Sequence, residues 1–132
     1  MTIRVGQRIK LEQLEVELVH AGLLHLSGTL SSTAARLEFK QLLDALHARL
    51  ALTRPSSFIV DVRRLDFVDS SAIRLFRDWI SKASVAEYRL VFRTDPHITW
   101  HRLSFGVLQS LSPAWVEVND EVTGTYRVVG AS

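Results

Sequence analysis

Apolar runs of strand length alternate with amphipathic segments of helix length, and this order constrains the fold more than any other feature of the chain. The run at 58–62 reads Phe-Ile-Val-Asp-Val and is nearly continuous in apolar residues. Such a run is typical of a strand buried on both faces of a parallel sheet. Arg89–Phe92 forms a similar run. Because parallel neighbours need a crossover between them, the intervening segment is predicted to be a helix.

The first part of the chain follows a different pattern. Leu14–Leu18 alternates apolar and polar residues, and after Ala21–Gly22 the alternation continues to Gly28. Two alternating runs joined by a tight turn predict an antiparallel hairpin. Trp115–Val118 is a further candidate strand. The sequence therefore predicts an α/β fold: a mixed sheet with an N-terminal antiparallel hairpin, then parallel βαβ units, covered by helices.

Two long helices are predicted from their apolar spacing. The first runs from about 32 to 52, with Ser31 or Ser32 as its N-cap and Pro55 just beyond its end. The second runs from about 70 to 83, and a short third helix lies near 98–103. The residues expected to face the core are Phe39, Leu42, Leu43, Leu46 and Leu50 in the first helix and Ile73, Phe76, Trp79, Ile80 and Ala83 in the second.

A chain of 132 residues fits a single domain, 1–132, with a core at about 14–118. The extension 119–132 is left without a role. Tyr126–Val129 within it is expected to add an edge strand or to lie against the domain. The absence of cysteine excludes disulfides, thiol nucleophiles and cysteine-based zinc sites.

Composition argues against nucleic-acid and membrane proteins. The net charge is +2, and no basic stretch is interleaved with aromatic residues. No apolar run approaches the roughly 20 residues that would span a bilayer. The segment Met1–Gly6 lacks the apolar block of a signal peptide. We therefore expect a cytoplasmic protein without direct membrane insertion.

The junction formed by Asp69, Ser70 and Ser71 is the candidate functional centre. In open α/β sheets, function concentrates at the carboxyl ends of the strands, which points to the loops after Val62 and Phe92. Asp and Ser are also preferred N-cap residues, so helix capping alone is an alternative explanation for the junction.

The order of this segment resembles the STAS domain, the fold of bacterial anti-sigma factor antagonists. In that family, a strand ending in aspartate, here Asp61, precedes an Asp-Ser-Ser-Gly-Leu-Gly type motif, here beginning at Asp69. Gly28–Ser32 is similar to the family's Gly-x-Leu-Asp segment, with Ser31 in place of the aspartate. His97–Leu108 is similar to its late short helix.

The resemblance implies a regulatory, non-enzymatic bacterial protein without a cofactor. Its partner would be an anti-sigma factor with serine kinase activity, which phosphorylates the serine after the motif aspartate. By position that residue is Ser70, with Ser71 the less favoured alternative. Phosphorylation would release the kinase, and a PP2C-type phosphatase would restore the binding form. The implied partner-binding residues are Asp61, Asp69, Ser70, Ser71, Arg74 and Arg77.

The chain departs from the family motif at Ala72 and Arg74, which replace two glycines. On a helical wheel, Ser70, Arg74, Arg77 and Ser81 form one stripe. Arg74 is open to four interpretations: a partner for phosphate on Ser70, a contact for an acidic protein, a sign that kinase recognition is lost, or a solvated residue.

A second functional hypothesis follows from the same resemblance. STAS domains also serve as cytoplasmic partners of lipid ABC transporters and as tails of anion transporters. The stripe would then dock permanently on a transport complex, without phosphorylation.

Metal sites and enzymes are disfavoured by the sequence. His97 and His101 share a helical spacing, but no third zinc ligand is evident. Asp61, Asp66 and Asp69 suggest magnesium or acid–base chemistry, but no nucleophile–base pair or phosphate loop accompanies them.

Overall fold

The structure is a computed structural model, and it describes residues 2–120. Six strands and three helices follow one another along this part of the chain. They are β1 (Arg8–Leu11), β2 (Leu14–His20), β3 (Leu23–Leu30), α1 (Thr33–Thr53), β4 (Ser57–Val68), α2 (Ser70–Ala86), β5 (Arg89–Arg93), α3 (Thr99–Leu111) and β6 (Val116–Asn119).

The strands form one sheet in the order β1-β2-β3-β4-β5-β6. β1, β2 and β3 pair antiparallel, whereas β3, β4, β5 and β6 pair parallel. The helices α1, α2 and α3 are the crossovers between the parallel strands. This arrangement confirms the predicted α/β fold with an N-terminal hairpin and parallel βαβ units. No helix within residues 2–120 is long and apolar enough to cross a membrane.

Phe76 of α2 lies at the centre of the core between the sheet and the helices. Its ring centroid lies 5.8 Å from Phe39 of α1, 5.8 Å from Phe92 of β5 and 5.6 Å from Phe105 of α3. These edge-to-face contacts favour a single arrangement of the three helices on one face of the sheet. The predicted core faces are confirmed, since every residue predicted for them is buried except Ile73, which is partly buried.

The opposite face of the sheet, here called the polar face, carries charged side chains with a few apolar ones such as Ile59 and Val91 among them. Ion pairs join neighbouring strands there, Arg8 to Glu17 at 3.1 Å and Arg89 to Glu117 at 3.4 Å. Phe58, Val60 and Val62 of β4 are fully buried, and Phe58 packs on Trp79 of α2. Because side chains alternate along a strand, Asp61 and Arg63 point to the polar face.

Asp61 is buried on this polar face and bonded to Arg63. Its Oδ1 accepts from the Arg63 backbone N–H at 3.1 Å and from Nε at 3.0 Å, and its Oδ2 accepts from a terminal guanidinium nitrogen at 2.7 Å. Burial raises the pKa of Asp61, but the hydrogen bonds and charge of Arg63 outweigh that effect. The net pKa lies below the ordinary value for aspartate.

The predicted end of β4 near Val62 is wrong, because the strand continues to Val68. β5 pairs only with Ser57–Asp61, whereas β3 pairs along almost the whole strand with two register irregularities. At these irregularities β4 contributes one more residue than β3, as in β-bulges. The period of two is therefore lost, and the residues buried after Val62 are Leu65 and Val68.

Side chains of α3 bind the part of β4 that extends past β5. Trp100 donates from Nε1 to the Asp66 carbonyl oxygen at 2.9 Å. The Asp95 backbone N–H donates to Nδ1 of His101 at 3.1 Å, so Nε2 carries the proton and donates to the Leu65 carbonyl oxygen at 2.7 Å. α3 thus supplies hydrogen-bond donors to the carbonyls of β4 in the part of that strand that does not pair with β5.

Other boundaries also differ from prediction. β1 was not predicted, and α3 extends to Leu111 instead of ending near residue 103. Ser32, one of two candidate caps, is the N-cap of α1 and accepts from the Ala35 N–H at 3.1 Å. The predictions for residues 121–132, including Tyr126–Val129, lie outside the part that the structure describes.

Gly28 of β3 provides a first test of the fold. Its φ is +96°, and a Cβ there would lie 2.1 Å from the Gln13 carbonyl oxygen. Gly28→Ala should lower the free energy of unfolding by at least about 2 kcal/mol in urea denaturation. As the matched control, Gly106→Ala in α3 should raise it by about 0.5–1 kcal/mol, because nothing obstructs a Cβ there and alanine favours a helix. Equal effects of the two substitutions would contradict the assigned geometry.

Asp61 provides a pH-dependent test. Since its pKa is lowered in the folded state, its contribution to stability is present above the unfolded pKa of about 3.9 and is lost as pH falls through the folded pKa. Asp61→Asn should therefore destabilise the protein at pH 7, and the difference from the unchanged protein should shrink as the pH falls below about 3.9 in guanidinium titrations. Asp66→Asn, at an exposed position, is the control and should change the free energy of unfolding by less than about 0.5 kcal/mol at pH 7. If Asp61→Asn lowered the free energy of unfolding by the same amount at every pH, this role of the charge would be contradicted.

Candidate functional site

Asp69 is the single residue between β4 and α2, and it caps the helix. Its backbone is extended, with φ −81° and ψ 173°, and its Oδ1 accepts from the Ala72 N–H at 2.8 Å. A carboxylate in this position both satisfies a free N–H group and interacts favourably with the positive end of the helix dipole. Capping therefore accounts for one oxygen of Asp69.

The second oxygen of Asp69 ties α2 to α1. Oδ2 accepts from the guanidinium of Arg36, which also donates to the Ser31 carbonyl oxygen at 3.0 Å and to Thr33 Oγ1 at 3.1 Å. In addition, the Asp69 N–H donates to the Leu30 carbonyl oxygen at 3.2 Å. The starts of α1 and α2 are thus held together where β3 and β4 end. Arg36 is not among the predicted site residues.

Ser70 and Ser71 are the first two residues of α2, and both are exposed. Their hydroxyl groups lie at the helix N-terminus, where the helix dipole favours a negative charge. Neither side chain makes a hydrogen bond within the part of the chain that the structure describes. The position therefore leaves both hydroxyls accessible to a protein partner or a modifying enzyme.

Arg74 and Arg77 lie on the same side of α2 as Ser70 and are exposed. No carboxylate within residues 2–120 pairs with either guanidinium. With Ser70, they line one side of a groove of about 440 Å³ between α2 and α3. The predicted stripe on α2 therefore forms the wall of a groove.

The structure does not bring Asp61 to this site. At about 3.3 Å per residue, the bulged strand between Asp61 and Asp69 separates them by roughly 20–25 Å. Asp66 is exposed, and only its backbone carbonyl has a described contact in the fold. Within residues 2–120, no group of three or more acidic or histidine side chains is arranged to hold a metal ion. The ring nitrogens of His101 both form hydrogen bonds.

Three apolar residues of α3 complete the surface around the groove. Leu103, Val107 and Leu111 are 61%, 57% and 64% exposed, and their spacing of four places them along one side of the helix. They were missed because the helix was predicted to end near residue 103. The spacing itself is a sequence signal once the helix is extended to Leu111.

The two roles of Asp69 can be separated by substitution. Asp69→Asn keeps a side chain that caps well but removes the charge facing Arg36, whereas Asp69→Ala removes both. We expect the alanine variant to be less stable than the asparagine variant by about 1 kcal/mol in urea denaturation. Ser71→Ala is the control and should change stability by less than about 0.5 kcal/mol. Equal stabilities of the two Asp69 variants would show that the cap contributes nothing.

Comparison with known proteins shows a likeness of fold. No family model matches the chain, and no curated protein matches its sequence. Among solved structures, the chain is similar to the anti-sigma factor antagonist SpoIIAA in its unphosphorylated form, with a TM-score of 0.55 and 15% sequence identity. The match covers 84% of this chain and 91% of that one. At this identity the likeness concerns the fold, and it confirms that this chain has the STAS-like fold predicted from its sequence.

Proposed function

We propose that this chain is a regulator of the anti-sigma factor antagonist type, which binds an anti-sigma factor with serine kinase activity and is switched by phosphorylation of Ser70. One observation carries the proposal. The exposed hydroxyl of Ser70 stands in the first turn of α2, directly after the Asp69 cap, in a fold shared with an anti-sigma factor antagonist. Ser71 is exposed as well and is the less favoured target.

A phosphate on Ser70 would weaken a partner interface through its charge. It adds about −1.5 to −2 charges at neutral pH. Against a carboxylate of the partner at about 4 Å, each unit charge costs on the order of 1–4 kcal/mol at effective dielectric constants of 80–20. A penalty of that size corresponds to a roughly tenfold to thousandfold loss of affinity.

The same phosphate would leave the domain folded. The helix N-terminus favours an anion at this position. Both oxygens of Asp69 are already engaged, with Ala72 and with Arg36, so its negative charge is partly compensated next to the modified serine. Modification would therefore act on binding and not on folding, and a PP2C-type phosphatase would reverse it.

The proposed partner-binding surface consists of Asp69, Ser70, Ser71, Arg74 and Arg77. Asp61, predicted as part of this surface, lies on the polar face of the sheet and away from α2. We assign it a supporting role, in which its bonds to Arg63 hold the middle of β4. In this proposal the chain acts by binding and catalyses no reaction.

Constant docking on a lipid ABC or anion transport complex is the second candidate function. The observation that favours it is the bulk of Arg74 on the side of α2 that carries Ser70. A guanidinium near the serine hinders the close approach of a kinase active site but suits a permanent contact. Phosphorylation has no part in this alternative.

The kinase proposal is tested by phosphorylation in vitro. The purified chain is incubated with ATP and a candidate serine kinase of the anti-sigma factor type, and the products are examined by mass spectrometry. We expect one phosphoryl group on Ser70, its complete loss in Ser70→Ala and its retention in Ser71→Ala. Phosphate on another residue, or on none, would overturn the assignment.

The effect on binding is measured with the same proteins by isothermal titration calorimetry. Ser70→Asp should weaken the complex at least tenfold. The control for added charge is Val85→Asp, at an exposed position of α2 outside the proposed surface, which should leave the affinity unchanged. If the chain instead binds a transporter ATPase subunit with an affinity that Ser70→Asp does not change, constant docking is the correct function.

A further inference from the structure

The groove between α2 and α3 has walls of different character. Arg74 and Arg77 of α2 form one wall, and Leu103, Val107 and Leu111 of α3 form the other. Ile73 and the buried Leu108 also line the groove, and Ser70 belongs to the same lining. The groove is therefore apolar along one side and cationic along the other.

The apolar wall is a continuous row. Single exposed apolar residues are ordinary on protein surfaces, and Val85 of α2 is one example, with 84% exposure. Leu103, Val107 and Leu111 differ because they follow one another at consecutive turns of a single helix, each more than half exposed. A row with this spacing matches the apolar face of another helix.

No carboxylate of the described residues lines the groove beside the cationic wall. Neither Arg74 nor Arg77 has an ion-pair partner in the described part of the chain. The groove between α1 and α2 contrasts with this. There Asp44 accepts from Lys40 at 2.9 Å and from Lys82 at 2.7 Å, so both cations are paired within the fold.

We propose that the α2–α3 groove binds an acidic amphipathic helix of the partner protein. Leucine-type residues of that helix, spaced three or four apart, would cover the row on α3, and its glutamates or aspartates would face Arg74 and Arg77. This inference rests on the proposed function, in which the same partner meets Ser70. It adds that the partner inserts an acidic amphipathic helix into the groove.

Charge and shape distinguish this occupant from three others. A second copy docked symmetrically through this groove would bring the same two arginines and no carboxylate of the lining to the interface. The chain's own segment 121–132 contains one acidic side chain, Glu121, and one basic side chain, Arg127, so its side chains bring no net negative charge. A lipid surface is flat, whereas the apolar row lines a concave groove with an arginine wall beside it.

A phosphate on Ser70 would affect binding in the groove through Arg74, one helical turn away. Ser70 and Arg74 are four residues apart and share one side of α2. A phosphate there would pair with the Arg74 guanidinium and repel the acids of the incoming helix. Phosphate and partner helix would therefore compete for the same cation.

The test is an NMR titration of the full-length, ¹⁵N-labelled chain with two synthetic 18-residue helical peptides. Both carry leucines at positions spaced three and four apart. One carries glutamates along one flank, and the other carries lysines at those positions. We expect the acidic peptide to shift amide signals of α2 and α3 and to bind at least tenfold tighter than the basic peptide.

Substitutions assign the binding to the groove. Val107→Glu should weaken binding of the acidic peptide at least tenfold. Val85→Glu, at an exposed valine of α2 outside the groove, should change the affinity for that peptide less than twofold. The double variant Arg74→Glu/Arg77→Glu should bind the basic peptide more tightly than the acidic one. Arg64→Glu, at an exposed position of β4, should not. Circular dichroism checks that each variant is folded.

Several results would overturn the inference. These are equal affinity for both peptides, shifts confined to other elements, binding to phosphatidylglycerol vesicles instead of peptide, and a dimer that Val107→Glu dissociates. If the kinase phosphorylates Ser70 but the acidic peptide does not bind, the groove assignment alone fails. If the peptide binds in the groove but Ser70 is not a kinase substrate, the phosphorylation proposal alone fails.

Discussion

Asp69 makes hydrogen bonds to three elements at once, and the geometry of the surface around Ser70 depends on them. Its backbone N–H binds the end of β3 through Leu30, its Oδ1 caps α2 through Ala72, and its Oδ2 binds Arg36 of α1. Because Ser70 follows directly, its position relative to both helices is set by these bonds. The same carboxylate is thus a structural cap and the neighbour of the proposed phosphorylation site, so capping and partner binding are compatible roles for this junction.

The residues that explain most of the fold were predictable from the sequence. The apolar faces of α1 and α2, the hairpin of β2 and β3 and the parallel strand at Phe58 follow from periodicity, because burial on one face selects apolar residues at fixed intervals. The position of Ser70 at the start of α2 followed from the same pattern, together with the preference of Asp69 for a helix cap.

The features that sequence could not supply depend on tertiary pairing. The second half of β4 contains Arg63, Arg64 and Asp66, and its bulges break the period of two that marks a strand. Arg36 reaches Asp69 across 33 positions, and only the packing of α1 beside α2 brings them together. The groove between α2 and α3 was missed because α3 was predicted to end near residue 103, eight residues before its actual end at Leu111.

The attachment of α3 to β4 has a consequence for how this surface can evolve. Trp100 and His101 bind the main-chain carbonyls of Asp66 and Leu65, and the side chain of Asp66 takes no part. Every amino acid offers the same carbonyl, so the exposed side chain at position 66 can change without loosening the helix. Leu103, Val107 and Leu111 of α3 are exposed and make none of these bonds, so they are free to diversify while the helix stays attached to β4. Relatives could acquire different partners by changing three or four side chains while the arrangement of strands and helices persists.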